Sequence, residues 1–416
     1  MEFPSSQLHV FPNGLKLVYH HSPGTVSHCG LMILAGGRNE PDGKVGLAHF
    51  IEHVIFKGTK KRNAFQVLNR LESVGGELNG YTTKEETCIH ASMLHLHFER
   101  AVELIADIVL NPSFPDKEIA VEKGVVLDEI NSYLDNPSEQ IFEDFEAMVF
   151  KGHPVGNPIL GTETSVRSFS RKDLLEFTKL NYISNRMVFS YVGALPLGLV
   201  VDVVESNFKV RGKDSKILKQ AAGLRRLKPV NKVLQRPTAH DHFICGGRAY
   251  GSKSPKRFAL FLLNNILGGP GMNSRLNLKI REKYGYTYQI ESSYNTFSDC
   301  GIFSIYFATD PVFFSRCRDL VWKEVHELQR NRISKIKLHS YKYQLKGQIA
   351  IAQENRPGFM LNNARNVLLY GRPMDLVSVM KGIDGVTSNE IMDVANEIAN
   401  TDQMSSLHYK SSTDRN

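Results

Sequence analysis

The sequence is poor in the features that mark secreted, disulfide-rich or membrane-spanning proteins. Its 416 residues include five cysteines, an odd number without a CxxC pair, which argues against a disulfide framework. No apolar run is long enough to cross a bilayer. Residues 1–7 have neither the apolar core of a secretory signal nor the arginines of a transit peptide. These absences predict a cytoplasmic protein without a membrane partner, in which reduced cysteines are small core residues.

Signatures of nucleotide and nucleic-acid binding are also missing. The chain has no GxxxxGKS/T and no GxGxxG sequence, so no phosphate-binding loop is predicted. The net charge of +8 could suggest nucleic acid, but the basic residues at 60–62 and 224–228 form short, separate clusters. Such clusters are typical of a solvated surface, and we expect no nucleic-acid partner.

The most informative feature that is present is a pair of histidines four residues apart. His49, Glu52 and His53 form an HxxEH sequence in an apolar stretch without Gly or Pro between residues 47 and 57, which predicts a buried helix. Residues i and i+4 of a helix face the same side, so both imidazoles can bind one zinc ion. Zinc lowers the pKa of bound water to about 7, and a neighbouring carboxylate that is not a ligand can take the proton. From this pattern alone, a hydrogen-bonded pair of core histidines remains an alternative.

A second predicted helix carries carboxylates suited to a third ligand position. Residues 116–130 are amphipathic, and Pro115 just before them is a helix initiation signal. Glu122 and Glu129 are seven residues apart, about two turns along one face. His95 and His97, by contrast, are predicted to share one face of a strand and have no third ligand at a suitable spacing.

The separation between His53 and Glu129, together with several segments, resembles the M16 family of zinc peptidases of the pitrilysin and insulinase type. Residues 36–41 and 46–59 are similar to the family's segment around the HxxEH sequence almost residue for residue. Residues 75–87 are similar to the edge strand on which family members lay the substrate backbone, with Gly80 where Ala is usual. The resemblance covers most of the chain.

The resemblance implies a role for each matching residue. His49, His53 and Glu129 would bind one Zn²⁺ per chain, and Glu52 would be the general base and later the proton donor. Glu122 would orient one of the ligands from behind. The substrate peptide would pair as an added strand along Leu78, Asn79, Gly80 and Tyr81.

Two segments of the second half also resemble the family. Arg281 and Tyr288 lie at a predicted helix-to-strand turn and resemble the Arg and Tyr pair that holds substrate and donates a hydrogen bond to the tetrahedral oxyanion. Without the resemblance, a surface arginine and a core tyrosine would be the plainer interpretation. Residues 268–271 resemble the glycine-rich segment of mitochondrial processing peptidase subunits. This loop could be a flexible contact to varied peptides or merely a tight turn.

The order of predicted elements indicates two similar halves. The length of 416 residues, with 42% apolar and 23% charged residues, suits a soluble protein of two domains. In the first half, a strand at 31–34 precedes the histidine helix. The second half repeats the order of residues 31–94, with strand 242–249, helices 257–267 and 274–283, and strands 286–294 and 301–308. We predict domains 1–208 and 233–416, joined by a polar linker at 209–232. The resemblance implies an α+β fold with two similar α/β sandwich domains and a metal site only in the first.

These observations predict a zinc metalloendopeptidase or oligopeptidase that cleaves small or unfolded peptides in a closed chamber. The resemblance implies a dimer, and a homodimer is expected because one chain carries both the metal motif and the Arg281 and Tyr288 pair. A heterodimer with a related subunit remains an alternative. Two other functions also remain: a non-catalytic, partner-dependent subunit that acts as a peptide-binding scaffold, and a peptide-binding module with a structural zinc. The first typically lacks the ligands, and the second needs a fourth protein ligand.

Overall fold

The computed structural model describes residues 5–209, 228–401 and 403–412, which form two compact units. Unit 1 consists of the described parts of Met1–Asn131, Asn157–Gly223 and Ile351–Leu376. Unit 2 consists of the described parts of Ser132–Gly156, Leu224–Ala350 and Val377–Asn416. Each unit therefore takes segments from both halves of the sequence.

Each unit combines helices with one mixed β-sheet, which confirms the predicted α+β fold. The strands are β1 Gln7–Val10, β2 Lys16–His21, β3 Val26–Ile33, β4 Glu77–Thr82, β5 Thr87–Leu94, β6 Met187–Gly193, β7 Asn231–Arg236, β8 Asp241–Ala249, β9 Thr287–Thr296, β10 Gly301–Thr309 and β11 Ser405–Ser411. The helices are α1 Leu47–Ile55, α2 Ala64–Glu72, α3 Phe98–Leu110, α4 Asp116–Leu134, α5 Pro137–Val149, α6 Glu163–Ser168, α7 Arg171–Asn181, α8 Leu197–Asn207, α9 Arg257–Gly268, α10 Phe314–Arg330, α11 Lys335–Ala352, α12 Arg356–Tyr370, α13 Leu376–Gly385 and α14 Ser388–Ile398.

The sheet of unit 1 has six strands in the order β1-β2-β6-β3-β5-β4. Strands β2 and β6 are parallel, and the other neighbours are antiparallel. Side chains alternate between the two faces of a strand, and buried apolar side chains occur on both faces of this sheet. One face packs against α1, α3 and α8, and the other packs against α12. Strand β4 lies at an edge of this sheet.

The sheet of unit 2 repeats the topology of the unit 1 sheet. Its strand order is β7-β11-β8-β10-β9, with β7 and β11 parallel and the other neighbours antiparallel. Strands β8, β10 and β9 thus occupy the positions that β3, β5 and β4 occupy in unit 1. One face packs against α9 and α10, and α5 covers the other. This common topology supports the internal duplication inferred from the sequence.

The two halves exchange one helix each. Helix α5 comes from the first half of the chain but packs on β8 and β11 of unit 2, where Tyr409 Oη donates a 2.6 Å hydrogen bond to Asp144. Helix α12 comes from the second half but packs on β2, β3 and β6 of unit 1. The predicted division into 1–208 and 233–416 kept each helix with its own half. Periodicity identifies the apolar face of a helix, but it does not say which sheet that face covers.

Most predicted elements agree with the structure, and three differ. The helix predicted at 274–283 contains a π-helical segment, Asn277–Glu282. The strand predicted for His95 and His97 is wrong, because β5 ends at Leu94 and His95–His97 form a 3-10 turn. Residues 210–227 of the predicted linker lie outside the described residues, and Asn231 already begins β7. None of the described helices combines the length and apolar character needed to cross a membrane.

Candidate metal centre and active site

Helix α1 positions the HxxEH residues, and a carboxylate from outside the helix fixes its first turn. The residue before the helix, Gly46, has φ 90° and no side chain that could cap it. Glu40 supplies the cap, since its two carboxylate oxygens accept hydrogen bonds from the backbone N–H of Gly46 at 2.9 Å and of Ala48 at 2.8 Å. These bonds satisfy N–H groups that have no partner inside a helix. The start of α1, and with it His49, is therefore held in place.

Helix α4 brings the predicted third ligand to the two histidines. Nε2 of His53 is 3.4 Å from Oε2 of Glu129, and Nε2 of His49 is 3.8 Å from the same oxygen. One ligand atom from each of the three residues lies within 4.8 Å of the other two. The structure thus brings together His49, His53 and Glu129, as the sequence predicted.

The donor atoms of this cluster fit a zinc ion. Oε2 of Glu129 is buried yet has no well-formed hydrogen bond to any described residue, an arrangement that is costly unless another group completes it. Two imidazole nitrogens and a carboxylate oxygen are ligands that zinc prefers, and three protein ligands are typical of catalytic sites that keep a position open. Among the described residues, no fourth His, Cys, Asp or Glu joins the group.

Burial and the charges within the cluster shift the pKa values of its histidines. Burial, followed by the charge of His53, lowers the pKa of His49 to about 4, which keeps this imidazole neutral as a metal ligand must be. The contact with the Glu129 carboxylate raises the pKa of His53 against the effect of burial. The same contact lowers the pKa of Glu129. His53 would have to be neutral to bind a metal through Nε2, so its raised pKa means that protons would compete with a metal at this position.

Glu122 lies behind His53, on the side away from Glu129. Nδ1 of His53 donates a 3.2 Å hydrogen bond to Oε2 of Glu122, and the other oxygen, Oε1, is 2.7 Å from Nζ of Lys57. A hydrogen bond at Nδ1 leaves the lone pair of Nε2 directed at the metal position. This geometry matches the orienting role that the family resemblance implied for Glu122.

Glu52 lies beside the cluster, next to strand β4. Burial raises the pKa of its carboxyl group. The charge of His53 acts to lower this pKa, and the charge of Glu129 acts to raise it. A Cβ atom on Gly80 would lie 3.0 Å from Oε1 of Glu52 and 3.0 Å from Cζ of Phe56. The glycine found where the family usually has Ala therefore borders the predicted base itself. Carboxyl groups with pKa values raised towards neutrality are well suited to proton transfer.

Strand β4 carries the four residues predicted to bind substrate. It pairs with β5 on one side, with Leu78 opposite Ala91 and Tyr81 opposite Cys88, and its other side is an edge of the sheet. Leu78 packs against the unit 1 core, and the side chain of Asn79 is exposed. An edge strand beside the metal cluster can accept a peptide as an additional strand.

Arg281 and Tyr288 lie in unit 2. Arg281 is part of the π-helical segment, where its guanidinium is 3.8 Å from the carboxylate of Glu282. Tyr288 lies on β9, at an edge of the unit 2 sheet, and is 89% exposed. Its exposure argues against the core tyrosine that was the plainer interpretation. The catalytic role of both residues stays a prediction.

In unit 2, two amide side chains form a hydrogen bond between α9 and α11. Helices α9 and α11 take the places in the topology that α1 and α4 have in unit 1, and Nδ2 of Asn265 donates a 2.6 Å hydrogen bond to Oε1 of Gln348. The glycine-rich loop beside them is closely packed. A Cβ on Gly268 would lie 2.5 Å from the backbone nitrogen of Ser292, and one on Gly269 would lie 2.7 Å from Cα of Asn265. These contacts favour the tight-turn interpretation of the loop.

Two residues that support the site, Glu40 and Lys57, were not predicted from the sequence. Both lie in segments that carry the family resemblance. For Glu40 a signal was present, because a helix that begins after Gly46 needs a cap from elsewhere. For Lys57 no helical spacing applies, because α1 ends at Ile55, and only the structure shows that the Glu122 carboxylate contacts both Lys57 and His53.

Comparisons with known proteins agree with this fold. Residues 16–163 match the family profile "Insulinase (Peptidase family M16)", and residues 168–345 match "Peptidase M16 inactive domain". An uncharacterized zinc protease of Mycobacterium leprae is 32% identical over 94% of this chain and 88% of its own length. An uncharacterized zinc protease of Bacillus subtilis is 28% identical over 94% of this chain and 95% of its own length.

A solved structure shows the same overall architecture. The crystal structure of a protease from Helicobacter pylori superposes with a TM-score of 0.90 and covers 98% of this chain and 100% of its own. At 21% sequence identity, this likeness establishes the fold alone. The near full-length similarity to the mycobacterial zinc protease establishes the family, as the sequence resemblance predicted. The chain therefore belongs to the insulinase family of zinc peptidases, M16.

Proposed function

We propose that this chain is a zinc-dependent metalloendopeptidase or oligopeptidase that hydrolyses peptides or unfolded precursor segments. The observation that carries the proposal is the convergence of His49, His53 and Glu129, with the carboxyl group of Glu52, which is not a ligand, beside them. A purely structural zinc site would be closed by a fourth protein ligand, and the described residues supply three.

His49, His53 and Glu129 would hold the zinc, which when bound supplies a Lewis acid that makes water a nucleophile near neutral pH. Glu52 takes a proton from the attacking water and gives it to the leaving amine. Burial raises the pKa of Glu52, and a carboxyl group whose pKa is raised releases a bound proton less readily than an exposed one. Glu122 keeps the His53 ring oriented through Nδ1.

The substrate chain would extend strand β4. Main-chain hydrogen bonds along an edge strand are independent of side-chain identity, which suits a peptidase for varied or unfolded segments. Arg281 would hold the substrate, and Tyr288 would donate a hydrogen bond to the oxyanion. In the proposed mechanism cleavage takes place in a closed chamber formed by a dimer, which admits small or unfolded chains.

A non-catalytic subunit that acts as a peptide-binding scaffold is the alternative. It would keep the edge strand β4, but it would have no need for a base beside the metal ligands. The retention of Glu52 together with all three ligands favours the enzyme.

The test is a zinc-loaded Glu52→Gln protein assayed on a peptide library. The amide cannot accept the water's proton, so we expect zinc content equal to wild type and a loss of most turnover. Glu72→Gln, the same substitution at an exposed position, is the matched control and should cleave normally. Near wild-type cleavage by zinc-loaded Glu52→Gln would remove the proposed mechanism.

A further inference from the structure

Lys57 and His53 share a single buried carboxylate. The side chain of Glu122 is 4% exposed, and its two oxygens have different partners: Oε1 is 2.7 Å from Nζ of Lys57, and Oε2 accepts the hydrogen bond from Nδ1 of His53 at 3.2 Å. We propose that Lys57 is a positioning residue for the metal centre. Its ammonium group fixes the rotation of Glu122, so that Glu122 in turn fixes His53. The inference rests on the proposed zinc site.

The cost of burying Glu122 explains why it needs Lys57. A carboxylate withdrawn from water is strongly unfavourable unless a cation and hydrogen-bond donors surround it. His53 supplies one donor, but a histidine that binds zinc through Nε2 is neutral overall. Lys57 supplies the compensating charge, since its Nζ is 2.7 Å from Oε1 of Glu122.

The position of Lys57 also links the two helices that carry the ligands. His53 lies in α1 and Lys57 lies just after it, whereas Glu122 and Glu129 lie in α4. The Glu122 carboxylate therefore ties α4 to α1 at the place where His53 must face Glu129. His49 has no such support, since its Nδ1 is buried without a hydrogen-bond partner among the described residues. The effect of Lys57 should consequently be felt through His53.

An ordinary inter-helix ion pair is the competing explanation. Such a pair would stabilise the fold without influencing the metal, so the loss of Lys57 would lower the melting temperature and leave zinc affinity unchanged. The positioning role instead predicts weaker zinc binding that depends on the presence of Glu122. Metal affinity and the stability of the metal-free protein therefore have to be measured separately.

The experiment measures zinc dissociation constants by chelator competition for the full chain and three variants. Groups that orient a metal ligand typically contribute 10- to 100-fold in affinity, so Lys57→Met, which acts one step further away, should weaken zinc binding by roughly three- to tenfold. Lys57→Arg keeps the charge and should restore most of the affinity. Lys61→Met removes the same charge at an exposed position nearby and should bind zinc like wild type. If Lys57→Met does not fold, Lys57→Gln takes its place.

A double-mutant cycle and a spectroscopic signature complete the test. In a Glu122→Gln background, Lys57→Met should cost no further zinc affinity, because the proposed action passes through that carboxylate. With cobalt in place of zinc, Lys57→Met should shift the visible absorption bands, since the orientation of His53 changes. Unchanged zinc affinity in Lys57→Met, or a loss that persists in the Glu122→Gln background, would overturn the proposal. Wild-type protein that binds no zinc would instead contradict the proposed function.

Discussion

Two carboxylates of helix α4 lie on opposite sides of His53. Glu129 approaches Nε2, the atom that faces the metal position, whereas Glu122 is bonded to Nδ1 on the far side of the ring. Because both belong to the same helix and both contact the same histidine, their different roles can be separated by substitution.

Glu129→Gln should weaken zinc binding by more than about a hundredfold, since a neutral amide oxygen is a poor replacement for a carboxylate ligand. Glu122→Gln removes a group that only orients a ligand and should cost less, roughly tenfold. Chelator competition on the two purified variants measures both effects. If zinc content follows Glu122 and ignores Glu129, the assignment of the third ligand is wrong.

Tyr288→Phe should lower kcat by roughly ten- to a thousandfold, because loss of one donor to an oxyanion typically has an effect of this order. Zinc affinity should not change, since the tyrosine is not a ligand. Steady-state kinetics with a model peptide provide the measurement. Tyr284→Phe is the matched control, an exposed tyrosine close by in sequence that stacks on Tyr286. Equal effects of the two substitutions would contradict the role of Tyr288.

The residues that hold the metal could be predicted from sequence, but the residues that support them could not. His49, His53 and Glu129 follow from helical spacing and from a family separation, both of which are visible along the chain. Glu40 and Lys57 act on groups that the sequence does not show to be neighbours, a helix terminus and a buried carboxylate from another helix. Their roles depend on three-dimensional contacts, for which a single sequence has no periodic signal.

At the scale of elements, the cap on helix α1 is the contact whose loss should affect the site most. Glu40→Ala leaves the N–H groups of Gly46 and Ala48 unsatisfied, and we expect a loss of about 1–2 kcal/mol in the free energy of unfolding, as for other helix caps. Zinc affinity should fall as well, because His49 follows directly. Urea unfolding and chelator competition measure the two effects. Glu72→Ala, at an exposed position, should change neither.

Glu40 should also give stability an unusual dependence on pH. Burial raises the pKa of Glu40 from 4.5 to about 8, although its two backbone hydrogen bonds act in the opposite direction. Between these values the folded chain binds a proton that the unfolded chain releases, so the contribution of Glu40 to the free energy of unfolding falls as pH rises from about 4.5 to about 8.

Glu40→Gln, which cannot ionise, should lack this decline. Urea unfolding of the metal-free wild type and of Glu40→Gln at pH 5.5 and pH 8.5 should therefore show the variant gaining relative stability at the higher pH. If the difference between the two proteins is the same at both pH values, Glu40 does not carry this dependence.

It was easier to predict which segments form helices and strands than to predict which sheet each helix packs against. Helices α1, α4 and α9 and strands β8, β9 and β10 follow the expected periodicity closely. The exchange of α5 and α12 was not predicted, since both sheets present an apolar face that an amphipathic helix could cover. The π-helical segment around Arg281 was missed for a similar reason, because a change from i+4 to i+5 bonding leaves little trace in the pattern of apolar residues.

At the scale of the whole molecule, one chain contains every part of the proposed site. The metal motif and the Arg281 and Tyr288 pair both occur in this chain. Purified alone and loaded with zinc, the protein should therefore cleave peptides from a library and sediment as a homodimer. Zinc-loaded protein that stays inert until a second, different subunit is added would favour the heterodimer. The cytoplasmic location remains a prediction.

The position of α12 far after α4 in the sequence imposes an order on biosynthesis. His49, His53 and Glu129 are synthesised well before α12, which begins at Arg356. Helix α12 covers one face of the unit 1 sheet, at Val18, Met32, Cys88 and Val188. Until then one face of the unit 1 sheet has no cover, and folding of that unit cannot finish. A nascent or prematurely terminated chain would thus carry all the metal ligands without a completed catalytic unit. The exchange of helices would delay the proposed proteolytic activity until α12 has been synthesised.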